Sequence, residues 1–184
     1  RALQVSDPSL RQVVVERSAA IIRLAEREMG LRRDAALVVR KADARAALLR
    51  MPEASADVVA GDAFLDAHTP AHLTTVEVMA DVARVLRPGG AYVVNLIDEQ
   101  PWSVLGVHAA AATAVFADVL AAGSRGVARL RDPGNVFLIA SAEGINRAAL
   151  TSALVGGAHP SALVAAGQMA ALAGRHRARH DADG

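Results

Sequence analysis

Four short runs rich in β-branched residues recur along the chain, each separated from the next by a stretch of different period. This alternation limits the fold more than any other feature. The runs are Gln12 to Glu16, Ala35 to Arg40, Asp57 to Gly61 and Ala91 to Ile97. Continuous apolar runs of this length read as buried strands of a parallel sheet. Between them, Ala19 to Glu28 reads as a helix opened by Ser18 and closed by Gly30. Asp43 to Leu49 reads as a short helix or turn. Thr75 to Leu86 carries Val78, Met79, Val82, Val85 and Leu86 at helical spacing, and Arg87-Pro88-Gly89-Gly90 stops it. Strand–helix alternation of this kind builds βαβ units and a parallel sheet. The expected architecture is therefore α/β: a three-layer sandwich with a mostly parallel, Rossmann-like sheet.

The C-terminal part differs in style. Ser103 to Ala122 reads as one long Ala-rich helix. Gly126 to Arg131 and Asn135 to Ser141, separated by Asp132-Pro133-Gly134, read as an antiparallel hairpin. Helices are expected over Asn146 to Leu154 and Ala162 to Ala173. Residues 1–174 read as one domain without internal repeat or linker, and 175–184 as a disordered polar tail.

Composition narrows the function. Lys and Arg number 20 against 19 Asp and Glu, a net charge of +1, which argues against a nucleic-acid partner held through phosphates. Hydrophobic residues are 53% and aromatics only 3%, so the core is aliphatic. The absence of cysteine excludes disulfides, thiolate metal sites and a Cys nucleophile. No run of apolar residues is long enough to span a membrane, so no membrane partner is expected and the cytoplasm is the default compartment. His68 and His72 flank Thr69-Pro70 without further ligands, and no metal is expected. No Gly-x-Ser-x-Gly elbow and no P-loop occur.

In an open α/β sheet, ligands bind beyond the carboxyl ends of the strands. Those ends carry Glu16, then Asp43-Ala44, then Asp62, and finally Asn95 with Asp98 and Glu99 just beyond. Acidic residues there either cap the helices that follow or accept hydrogen bonds from a nucleoside. Three delivered in succession favour a site.

The spacing of Glu16, Asp43-Ala44 and Asp62, with Leu86-Arg87-Pro88-Gly89-Gly90 before a strand, resembles the Rossmann-like S-adenosylmethionine-dependent transferases. The stretch Gly61 to Asp98, together with Ala112 to Phe116 and Gly134 to Ser141, resembles more particularly the spermidine synthase-like branch, the polyamine aminopropyltransferases. The resemblance covers Gln12 to Ser141. It implies transfer of an aminopropyl group from decarboxylated S-adenosylmethionine to a small-molecule amine. Glu16 would hold the ribose, Asp43 the adenine amine, and the Ala44 amide the ring. Asp62 would orient or deprotonate the attacking amine. The loop from Leu65 to Thr75 would close over the acceptor, with Asp66, Asp98 and Glu99 as further acceptor-binding groups. A typical synthase has Asp-Ser-Ser-Asp-Pro where this chain has Asp62-Ala63-Phe64-Leu65-Asp66. The difference argues for membership of the branch rather than for spermidine synthesis itself.

Two alternatives stay open. One is methyl transfer from S-adenosylmethionine to a small molecule. The other is a noncatalytic remnant of the fold that self-associates through its Ala-rich helices, and the apolar stripe in Val104 to Leu120 leaves a homodimer open. The superfamily places a Gly-rich loop about 18–20 residues before the acidic strand end. Here fifteen residues precede Glu16 and none is glycine. Arg1 to Val5 reads as the end of the helix after that loop. The chain is accordingly expected to be a fragment lacking the first central strand.

Overall fold

Strand β1 (Gln12–Glu16) forms where three successive valines favour extended backbone, and it pairs in parallel with β2 (Leu37–Lys41) from Gln12↔Leu37 to Glu16↔Lys41. Helix α1 (Ala19–Glu28) crosses between them. Its N-cap Ser18 accepts the Ile21 amide at 3.3 Å. Its far end is closed by Gly30 at φ +66°, with the Leu31 amide returning to the Ala25 carbonyl. A one-turn helix α2 (Ala44–Leu48) follows β2. The computed structural model describes residues 7, 9–34, 36–65, 68–157 and 159–183. The expected helix end over Arg1–Val5, and Ala35 and Asp66, lie outside them. Contacts group the chain into two compact units, Arg1–Arg50 and Met51–Gly184, each described by itself.

The second unit holds a five-stranded sheet in the order β3-β4-β6-β5-β7. Its strands are β3 (Ala56–Gly61), β4 (Leu86–Asp98), β5 (Asp118–Gly123), β6 (Gly134–Ser141) and β7 (Ala162–Leu163). The β3–β4 pair is parallel, and the β4–β6, β6–β5 and β5–β7 pairs are antiparallel. Helix α3 (Val76–Val85) connects β3 to β4. The five residues read as its apolar stripe, Val78, Met79, Val82, Val85 and Leu86, are all buried. Helix α4 (Ser103–Thr113) packs on β4 and on α7 (Ala166–Arg175). The architecture is the expected α/β class, an open sheet flanked by helices with an antiparallel C-terminal part. No helix among the described residues is long and apolar enough to cross a membrane.

Three expectations for the C-terminal part need correction. The long helix over Ser103 to Ala122 is α4 followed by β5. Leu120 to Gly123 is buried throughout, and a strand covered on both faces shows no period to separate it from a buried helix. The first hairpin strand, Gly126 to Arg131, is instead a one-turn helix α5 (Arg125–Ala128), because Ser124 caps it by accepting the Val127 amide at 3.4 Å. The antiparallel partners of β6 are β5 and β4. The helix expected over Ala162 to Ala173 begins only at Ala166, since Ala162 and Leu163 pair with Gly123 and Ala122. Helix α6 (Arg147–Gly156) matches the helix expected over Asn146 to Leu154; Asn146 is its N-cap, with the side chain accepting the Ala149 amide at 3.0 Å.

The tail, expected to be disordered, is docked. The Val76 amide donates to the Arg179 carbonyl at 2.9 Å, and Arg179 Nη1 reaches Thr74 Oγ1 at 3.1 Å. Thr75 Oγ1 donates to Asp181 at 2.7 Å. Val76 is the first residue of α3, whose amide has no partner within its own helix, and the tail carbonyl supplies one.

Candidate active site

In the first unit, parallel pairing brings the carboxyl ends of β1 and β2 to one edge. The Glu16 carbonyl accepts the Ala42 amide at 3.2 Å, so Glu16 and Asp43 belong to neighbouring strand-end turns. Each carboxylate has a local structural task. Glu16 Oε1 accepts the Ser18 amide at 2.6 Å and sets the turn into α1. Asp43 is the N-cap of α2 and accepts the Ala46 amide at 3.0 Å, with Ala44 as the first helical residue. Glu16, Asp43 and Ala44 are all half-buried. The capping reading and the ligand reading are compatible here. A carboxylate has two oxygens, and among the described residues Glu16 Oε2 makes no hydrogen bond.

In the second unit, β3 ends at Gly61, which pairs with Val94. A Cβ on Gly61 would lie 3.1 Å from Val94 Cγ2, so a larger residue would crowd the Val94 side chain just where Asp62 leaves the sheet. Asp62 follows beside Asn95. Its Oδ1 accepts Asn95 Nδ2 at 2.9 Å, and Asn95 Oδ1 accepts Asn135 Nδ2 at 3.1 Å. A polar ladder therefore crosses three adjacent strand ends. Asp62 and Asn135 are exposed and Asn95 is half-buried. Among the described residues Asp62 Oδ2 makes no hydrogen bond.

Beyond β4 the two acidic residues part. Asp98 is buried, and its oxygens take the amides of Glu99 at 2.9 Å and Leu105 at 2.7 Å. Burial raises its carboxyl above the usual value of 3.8, against the lowering effect of those amides. Asp98 is thus turned into the start of α4, and Glu99 is the exposed acid of the pair. Trp102 is buried, and its Nε1 donates to the Leu130 carbonyl at 3.1 Å. The loop after Asp62 is described as far as Leu65 and again from His68, and the backbones of Leu65 and His68 bond each other at 2.8 and 3.2 Å. Asn135 carried no sequence signal as a site residue. A polar residue on the outward side of an alternating strand is the pattern that marks it.

A solved structure described as a probable spermidine synthase from Corynebacterium glutamicum ATCC 13032 matches 98% of this chain at 30% identity, with a TM-score of 0.84, and 67% of that protein is covered. The chain belongs to the spermidine synthase-like branch of the Rossmann-like S-adenosylmethionine-dependent transferases. Human methyltransferase-like protein 13, solved in complex with SAH, matches this family member over 98% of its length at 18% identity, with a TM-score of 0.62 and 79% of the human chain covered. A spermidine synthase in complex with the transition state analogue AdoDATO matches over 76% at 18% identity and a TM-score of 0.54. The chain spans about half of that synthase, 49%. These two similarities are similarities of fold. No protein-family model matches the chain, and no curated protein matches it significantly.

Proposed function

We propose that the chain is a spermidine synthase-like transferase that moves an aminopropyl group from decarboxylated S-adenosylmethionine to an amine acceptor. Family membership supports the sulfonium nucleoside as donor. Glu16 holds the ribose hydroxyls, Asp43 the adenine amine, and the Ala44 amide the ring nitrogen. Asp62 acts on the acceptor. The reaction needs a neutral, aimed amine: its lone pair attacks the carbon next to the sulfonium and a C–N bond forms. The C–S bond breaks with its electrons going to sulfur, and a neutral thioether leaves. The amine then gives up a proton. A carboxylate at the strand end serves this chemistry by accepting an N–H bond that points the lone pair at the carbon, and by taking the proton afterward. The observation that carries the reading is the state of Asp62: one oxygen engaged by Asn95, the other making no hydrogen bond among the described residues.

One observation favours a second reading. With Asp98 committed to α4, Glu99 is the exposed acid that remains directly after β4 among the described residues, so few charges face an acceptor there. The same framework suits methyl transfer to a neutral acceptor from S-adenosylmethionine. The test is release of methylthioadenosine from the decarboxylated donor across a panel of mono-, di- and polyamines, beside S-adenosylhomocysteine release from S-adenosylmethionine. Amine-dependent methylthioadenosine, abolished in Asp62→Asn, supports aminopropyl transfer; S-adenosylhomocysteine alone moves the reading to methyl transfer.

A further inference from the structure

We propose that Asn135 is a positioning residue for Asp62, acting through Asn95 to fix which way the Asn95 amide faces. The inference rests on the reading of Asp62 as the group that acts on the amine.

The register dictates who can touch whom. Gly61↔Val94 sets Asp62 beside Asn95 across the parallel β3–β4 pair. Across the antiparallel β4–β6 pair, Asn95 faces Phe137 and Ile97 faces Asn135, so Asn135 is diagonal to Asn95 on the same face. Diagonal neighbours lie about 7–8 Å apart at Cα, within reach of two amide side chains. The observed 2.9 and 3.1 Å contacts close that ladder.

The chemistry gives the ladder a direction. An ionised carboxylate only accepts, so Asn95 must turn Nδ2 toward Asp62. Its Oδ1 then points to β6, where only a donor satisfies it, and Asn135 Nδ2 is that donor. If the Asn95 amide turned over, its oxygen would face the carboxylate and its NH₂ would face the NH₂ of Asn135. Both contacts would become repulsive. Asn135 therefore reinforces, with its own donor, the arrangement in which Asp62 Oδ1 is held and Oδ2 is left for the acceptor. The flanking Ile97 and Phe137, each 42% exposed, offer no competing hydrogen bond to Asn95.

Asn135→Asp reverses the ladder. The new carboxylate accepts Asn95 Nδ2 and turns Asn95 Oδ1 against Asp62. Asn135→Ala removes the lock without reversing it. The expected result is a fall in kcat of about three- to tenfold in Asn135→Ala and a larger one in Asn135→Asp. The acid limb of the pH–rate profile moves up in Asn135→Asp, and KM for the sulfonium donor stays within about twofold of the parent. A second readout does not depend on turnover: the ¹³C titration of the Asp62 carboxyl by NMR in the full chain, with midpoint higher in Asn135→Asp than in the parent. If both variants keep the parent's kcat and midpoint while Asp62→Asn is inactive, the proposal is overturned and the role of Asp62 stands. If the parent shows no transfer, or Asp62→Asn matches it, the reading of Asp62 fails. The NMR midpoints then still decide whether Asn135 governs that carboxyl.

Discussion

The carboxylate of Asp98 accepts the backbone amide of Leu105 at 2.7 Å, joining the end of β4 to the first turn of α4. Trp102, at the N-cap position of α4, has a left-handed backbone and no capping side-chain bond. Asp98 supplies the cap from four residues earlier. Loss of an N-cap carboxylate costs about 0.5–2 kcal/mol. Asp98→Ala is expected to lower stability in urea unfolding within that range while leaving KM for the acceptor unchanged. A raised KM at undiminished stability would return Asp98 to substrate binding.

His108 is buried in α4. Its Nδ1 lies 3.0 Å from the Val104 carbonyl and donates to it, while Nε2 has no partner among the described residues. Burial lowers the imidazole to about 4, with the Arg179 charge adding to the effect. The unfolded chain takes up this proton first, near pH 6.5. Stability from the neutral His108 is therefore complete above that pH and declines as the pH falls from 6.5 toward 4, by at most about 3 kcal/mol. Unfolding free energies measured at pH 7.5, 6 and 5 should fall more steeply with falling pH in the parent than in His108→Leu. Parallel slopes would contradict the assignment.

The docked tail makes a separate prediction. Thr75 both caps α3, accepting the Val78 amide at 3.3 Å, and donates to Asp181 at 2.7 Å. Thr75→Val removes both bonds and is expected to cost about 1–2 kcal/mol, with faster amide exchange at Val76. His180 Nδ1 sits 3.0 Å from Glu77 Oε1, and that bond holds the Glu77 carboxyl below its usual 4.5. The contribution of Glu77 is therefore present above pH 4.5 and lost as the pH falls through its lowered value. The protection factor of the Val76 amide, its exchange rate taken relative to the unfolded chain at the same pH, should fall on acidification more in the parent than in Glu77→Gln.

Particular residues show why the first half of the chain was more legible than the second. Gln12 to Glu16 and Asp57 to Gly61 are β-branched runs punctuated by polar residues, and α3 carries a stripe at 3.6-residue spacing, so local pattern and final environment agree. Leu120 to Gly123 is apolar and buried, and nothing local separates strand from helix there. Asp98 looked like a rim carboxylate because its partner, the Leu105 amide, is fixed only once α4 has formed. The Asp62–Asn95–Asn135 ladder spans 73 positions, from 62 to 135, and exists only in the register of three strands. The tail's contacts with Thr74, Thr75 and Glu77 are likewise long-range pairings that composition could not show.

The central claim is that Glu16 and Asp43 hold a decarboxylated sulfonium nucleoside. The most direct measurement is isothermal calorimetry of the full chain with decarboxylated S-adenosylmethionine and, in parallel, with S-adenosylmethionine. The account predicts tighter binding of the decarboxylated form. Glu16→Gln and Asp43→Asn should each weaken it about tenfold or more, as expected for hydrogen bonds to a charged group, and Asp62→Asn should leave it unchanged. Preference for the carboxylated form, or no heat with either from folded protein, would contradict the account.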